Sequence, residues 1–352
     1  MIVIYPGDAT WEVRPMSALP VDPPPVDPPP VDPPPDPGAP LAWSRYPCTF
    51  GSATYPEAEY QSWYNLAYDS KRDVFYGMDW GGVVAAFSPP AQSWTKVTPS
   101  IGGGTHNRAF GYDPVNDRLW IGDGTGSTLL GINYLDLVTN TIVPFPMTGK
   151  TFGTQSAFHY DAERKRFIVF GGWNRLGVYT WSVDPPAATM TYANIPAGPT
   201  WDGGIAAEAK KMTMQRSGVD LLRKRIVYVD TDGTLWTLPL DLSTGFAHVT
   251  TTGTMPPPMT QFVVDPVGDR VIGWSASSMI AGGAVNTPPT QETWILSLAT
   301  LEWSMGASLV GGQTVPPVCV FVGYSVIWDP VRQQMVLHTT PNNYTPSTWG
   351  LK

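Results

Sequence analysis

From residue 41 onward the chain alternates short apolar runs with turn-forming clusters, a rhythm of strands rather than helices. One pattern recurs six times: an apolar run closing on Asp, a short turn, a basic or polar residue, then a second apolar run. The copies read Leu66-Ala67-Tyr68-Asp69, Phe110-Gly111-Tyr112-Asp113, Phe158-His159-Tyr160-Asp161, Ser217-Gly218-Val219-Asp220, Val263-Val264-Asp265 and Ile327-Trp328-Asp329. Five positions after the Asp stands Arg118, Arg166, Arg225, Arg270 or Gln334; the first copy departs, with Arg72 three positions on. Asp accepts a backbone N–H two residues later, and the Pro that follows it in three copies presets the next φ. The motif therefore pins a hairpin between a first and a second strand. The Arg is expected to cover the turn or pair with the acid, and the repeated Asp is structural rather than catalytic.

Second strands follow each turn at 74–77, 119–122, 167–172, 226–229, 271–274 and 335–337. Third strands include 178–181, 235–238 and 293–296, and fourth strands 93–97 and 302–305. Asp232-Gly233 reads as a tight turn between a second and a third strand. The motif aspartates lie 44, 48, 59, 45 and 64 residues apart. A period of about 45 with four apolar runs per unit is that of a propeller blade. Phe170-Gly171-Gly172 and Trp94-Thr95-Lys96 carry a resemblance to kelch-repeat β-propellers over about residues 41–352. Most copies lack the double glycine, so the repeats are degenerate. The sixth copy ends at its third strand, Ser347-Thr348-Trp349-Gly350-Leu351. Residues 42–46, with Trp43, look like a fourth strand and are expected to complete that blade, so Trp43 and Trp349 mark ring closure. The expected fold is all-β: a six-bladed propeller of kelch-like repeats, its last blade closed by an N-terminal strand and preceded by an extended arm. The two long gaps are read as enlarged loops around 195–212 and 275–291.

Composition changes the picture at the N-terminus. Charged residues are only 14% of the chain, against about 25% in an average soluble domain. The 38 prolines are unevenly spread: 12 of the 21 residues from Pro20 to Pro40 are Pro, including three copies of Val-Asp-Pro-Pro-Pro. Proline donates no backbone hydrogen bond, so this stretch should be extended polyproline II, roughly 60 Å long at about 3.1 Å per residue. Residues 1–19 precede this 20–40 spacer and carry Ile2, Val3, Ile4, Tyr5 and Trp11. They are too few to fold alone, and they read as an anchoring peptide that could add a strand to a partner's sheet. The start has no basic n-region or long apolar stretch, so no secretory signal is expected. Of the net charge of −8, residues 1–40 carry −5 and the rest −3. That balance argues against a nucleic-acid partner, and no run reaches the ~18 apolar residues of a membrane span. Cys48 and Cys319 read as separate thiols, with a single bridge left open.

Candidate chemistry is sparse. Loops between second and third strands share a face with those joining blades, and they carry Trp80, Asn107, Asp123, Trp173, Asn174, Arg175, Trp201 and Trp274. Such aromatics beside polar groups could stack on sugars; the alternative is that the tryptophans simply pack between blades. Among the four histidines, His159 and His338 fall on strands as packing or lining residues. No HExxH, nucleophile elbow or Cys–His pair is present. A calcium ion at Asp230/Asp232 is a minor alternative. No cofactor, metal or catalytic residue is expected. The leading expectation is a non-enzymatic interaction protein. Its anchor, rod and head resemble bacteriophage virion appendages: head fibres, decoration proteins or tail receptor-binding proteins. That resemblance implies a capsid or tail partner for residues 1–40, a surface receptor or glycan for the head, and a place on the virion surface. The alternatives are an extracellular carbohydrate-binding or carbohydrate-active propeller, and a cellular kelch-type adaptor.

Overall fold

The computed structural model describes residues 41–46, 49–50, 66–78, 83–98, 110–122, 132–145, 156–171, 178–193, 216–230, 233–257, 260–275, 291–306, 324–339 and 347–352. The anchoring residues Ile2, Val3, Ile4, Tyr5 and Trp11, the proline spacer, both cysteines and most of the two enlarged loops lie outside the described residues. The described residues form 26 strands. The first two are β1 (Trp43–Arg45) and β2 (Thr49–Phe50). Blade one is β3 (Leu66–Asp69), β4 (Val74–Met78), β5 (Val84–Ser88) and β6 (Ser93–Lys96). Blade two is β7 (Phe110–Asp113), β8 (Arg118–Ile121), β9 (Ile132–Asp136) and β10 (Thr141–Phe145). Blade three is β11 (Ala157–Asp161), β12 (Arg166–Phe170), β13 (Val178–Ser182) and β14 (Thr191–Ala193). Blade four is β15 (Ser217–Asp220), β16 (Arg225–Val229), β17 (Leu235–Pro239) and β18 (Ala247–Val249). After the short β19 (Thr252–Gly253), blade five is β20 (Gln261–Asp265), β21 (Arg270–Ser275), β22 (Glu292–Ser297) and β23 (Glu302–Met305). Blade six brings β24 (Tyr324–Asp329), β25 (Gln334–Thr339) and β26 (Ser347–Leu351).

Each blade is an antiparallel sheet, and the six form a β-propeller. The first strands of neighbouring blades meet in the order β3, β7, β11, β15, β20, β24, and β24 returns to β3, so the ring is closed. The sixth blade has the order β24-β25-β26-β1. Its outer strand comes from the start of the propeller: Trp43 pairs with Leu351, Ser44 with Gly350 and Arg45 with Trp349. This is the closure expected from residues 42–46. Two fifth strands have no counterpart in the sequence reading. β2 runs parallel to β6 on the outer edge of blade one, and β19 runs parallel to β23 on blade five.

The core lies between blades. Six buried apolar clusters correspond to the six blade interfaces, as period-2 geometry requires of strands covered on both sides. In β12, Phe167 and Val169 face blade two while Ile168 and Phe170 face blade four. In β21, Val271 faces blade four while Ile272 and Trp274 face blade six. Trp120 of blade two meets Trp181 of blade three edge-on at 4.2 Å between ring centres. Trp43 meets Trp274 the same way at 4.8 Å. These T-shaped contacts suit the ring quadrupoles. Trp94, Trp120, Trp181, Trp274 and Trp303 are among the largest fully buried side chains. Of the tryptophans weighed as ligand candidates, Trp274 is the described one, and for it the packing alternative holds.

Candidate functional site

The repeated motif builds one face of the propeller. All six motif aspartates are buried. Each Oδ1 accepts backbone N–H groups two or three residues on, as Asp69 does from Lys71 at 2.8 Å and Asp329 from Arg332 at 3.0 Å. Four residues after each Asp the backbone turns left-handed, at Asp73, Asp117, Lys165, Lys224, Asp269 and Gln333, with φ between 47° and 55°. The second carboxylate oxygen takes a side chain. Arg166, Arg225 and Arg270, each five residues on, bond it at 3.1, 2.9 and 2.8 Å. Arg118 instead lies over the Tyr134 ring at 4.3 Å, because Asp113 is taken by Asn116 and by the Trp120 indole N–H.

Three further arginines join blades. Arg72, Arg223 and Arg332, each three residues after the motif Asp, bond that Asp and also the left-handed Asp of the next blade. Arg72 binds both oxygens of Asp117 at 2.7 Å, Arg223 binds Asp269, and Arg332 crosses the closure to bind Asp73. These bidentate pairs hold the Asp73, Asp117 and Asp269 carboxyls below the usual carboxylate range, chiefly through the arginine hydrogen bonds. Between blades three and four the left-handed residue is Lys224, which repels Arg164 and pairs with Glu163 instead.

The six first strands enclose a channel on the propeller axis, a cavity of about 370 Å³. Its walls include Tyr68, Phe110, Phe158, Phe262 and Trp328, and its edge at the turn face includes Leu221, Pro266 and Pro330. Among the described residues no lining side chain carries a fixed charge. The Tyr68 hydroxyl donates to Asp73 at 3.1 Å. Polar character inside the channel centres on His159 and Ser217, whose Nε2 and Oγ are 2.8 Å apart. His159 sits deep in the molecule yet keeps part of its surface on the channel. Desolvation lowers its pKa to about 4, so the imidazole is neutral near pH 7. No carboxylate among the described residues orients it. The pair is therefore suited to hydrogen bonding rather than to activating a nucleophile.

The sequence reading placed its ligand candidates on the opposite face. Trp80, Asn107, Asp123, Trp173, Asn174, Arg175 and Trp201 lie outside the described residues, as does Asp232 of the Asp230/Asp232 pair. Trp274 is described and requires a correction. It is fully buried, against Trp43, because the alternation of β21 points it with Ile272 into the closing blade. It offers no surface to a glycan. The channel pair was missed as a pair, although aligned repeats carry a signal for it. Two before the motif Asp stand Ala67, Gly111, His159, Gly218, Val263 and Ile327, and one place earlier Leu66, Phe110, Phe158, Ser217, Phe262 and Val326. His159 and Ser217 are the polar members of those two series, and neighbouring blades bring them together. No family model matches the chain and no curated protein matches it; the structure shows a closed six-bladed β-propeller with an axial channel.

Proposed function

We propose that the protein is a non-enzymatic interaction protein in which residues 1–40 dock on a larger protein assembly and the propeller is displayed as a head. The fold fits a protein-interaction role. The observation that carries the reading is where the arm joins. Residue 41 leads into β1, the outermost strand of blade six, so the preceding chain is joined to the propeller at a blade edge. A stiff, acidic proline spacer at that point suits a head held off a surface. On this reading the head is kelch-like and the assembly is a bacteriophage capsid or tail, with the protein on the virion surface and a receptor as its target. Among the described residues no carboxylate orients His159, and its contact with Ser217 suits hydrogen bonding to a bound molecule.

The test is sedimentation of particles from cells producing either the full chain or a chain lacking residues 1–20. The full chain should co-sediment with the particles and the shortened one should remain at the top of the gradient. Equal sedimentation of both, or free monomer in both, overturns the reading. A glycan array probed with the full chain, and with Trp80→Ala and Trp173→Ala as controls, decides the carbohydrate-binding alternative: saturable binding lost in the controls would replace the receptor reading with a glycan one.

A further inference from the structure

We propose that the axial channel binds a small, uncharged aromatic molecule of one or two rings bearing one hydrogen-bonding group. Size sets the upper limit. The cavity is about 370 Å³, more than twice the roughly 150 Å³ that accommodates benzene in an engineered apolar cavity, so two fused rings fit and a large cofactor does not. Charge sets the class. An ion entering would shed its hydration among Tyr68, Phe110, Phe158, Phe262 and Trp328 with no opposite charge to receive it. Arg72, Arg223 and Arg332 of this face are engaged with aspartates at the turns. The mouth is also apolar: Leu221 lines it and is 65% exposed, and Leu222, Val267 and Val331 on the same turns are exposed as well.

One polar group selects among apolar ligands. His159 Nε2 is engaged by Ser217 Oγ, while Nδ1 has no hydrogen-bond partner among the described residues. Whichever tautomer the Ser217 contact favours, Nδ1 supplies one position, as donor or as acceptor. Because the imidazole is neutral, it bonds a hydroxyl or amide without attracting an anion.

The experiment is calorimetric titration of the full chain at pH 7 with 2-naphthol, naphthalene and 2-naphthoate. The proposal expects saturable binding of one 2-naphthol per chain, with naphthoate weaker by about tenfold or more, as an unpaired charge in an apolar site requires. His159→Phe should weaken 2-naphthol by about fivefold, the worth of one hydrogen bond, while sparing naphthalene. Absence of saturable 2-naphthol binding, equal binding of naphthoate, or an unchanged affinity in a folded His159→Phe chain overturns it. If that variant does not fold, the naphthol–naphthoate comparison on the native chain decides. Either result leaves the docking role of residues 1–40 untouched, since the sedimentation test does not involve the channel.

Discussion

Arg332 shows what a single residue contributes here. It satisfies Asp329 of its own turn and, across the closure, binds both oxygens of Asp73. Asp73→Asn should destabilise the fold by about 1–3 kcal/mol, because a partly buried guanidinium loses a bidentate, charge-assisted partner. A double-mutant cycle with Arg332→Gln should show positive coupling; additive losses would remove the closure role. Between blades three and four the arginine–aspartate pair is replaced by Lys224–Glu163, which suggests the converse. Lys224→Asp places a carboxylate at the left-handed position opposite Arg164, and denaturant unfolding should show a gain of about 0.5–1 kcal/mol despite the lost Glu163 contact. The histidines set the acid response. Burial lowers His159 to about 4 and His338 to about 3, below the ~6.5 of an unfolded chain. The unfolded state thus binds more protons, and stability that is complete above pH ~6.5 falls as pH drops toward 4, by up to about 1.4 kcal/mol per unit per histidine. The inter-blade carboxylates, lowered in the fold, hold their contribution down to about pH 4 and lose it below. Urea unfolding at pH 7, 6 and 5 should show the first decline, and a His159→Gln/His338→Gln chain should show a flatter one.

At the scale of elements, the hairpin turns were legible and the outer edges were not. Asp followed by a basic residue five positions on is a local signal, and the structure forms the turn six times with the same left-handed fourth residue. β2 and β19 carry no such signal. Each is two residues long and parallel to its neighbour, so its place depends on where the preceding blade releases the chain. Gly253 in β19 has φ +83°, and a Cβ there would sit 2.1 Å from the Trp303 carbonyl oxygen. The inner strands are crowded as well. A Cβ on Gly111 would lie 2.1 Å from Phe158 Cδ1, and the Phe158 ring is stacked on Phe167 at 4.1 Å. Gly111→Ala should therefore cost about 1–3 kcal/mol by overpacking, measured by thermal or urea unfolding. A neutral outcome would mean that the blade-two to blade-three packing can yield.

At the scale of the whole molecule, closure is the decisive event. β1 covers the edge of β26, ties residue 42 to residue 352 through paired backbone bonds, and buries Trp43 against Trp274. A chain of residues 41–352 should melt close to the full chain, whereas residues 51–352 should lose at least the roughly 3–5 kcal/mol of a large buried aromatic; equal melting of the two would remove the closure from the fold's stability. By itself the sequence determined the all-β class, the six repeats, the hairpin turns and the strand that completes the last blade, because these rest on local periodicity, turn chemistry and a count of strands. Only the tertiary structure decided which face of each strand meets which blade, how Arg72, Arg223 and Arg332 reach the next turn, that Trp274 is core rather than surface, and that His159 and Ser217 meet across the axial channel. Those outcomes join residues 45 to 259 positions apart, and that separation is bridged only when six blades close into a ring.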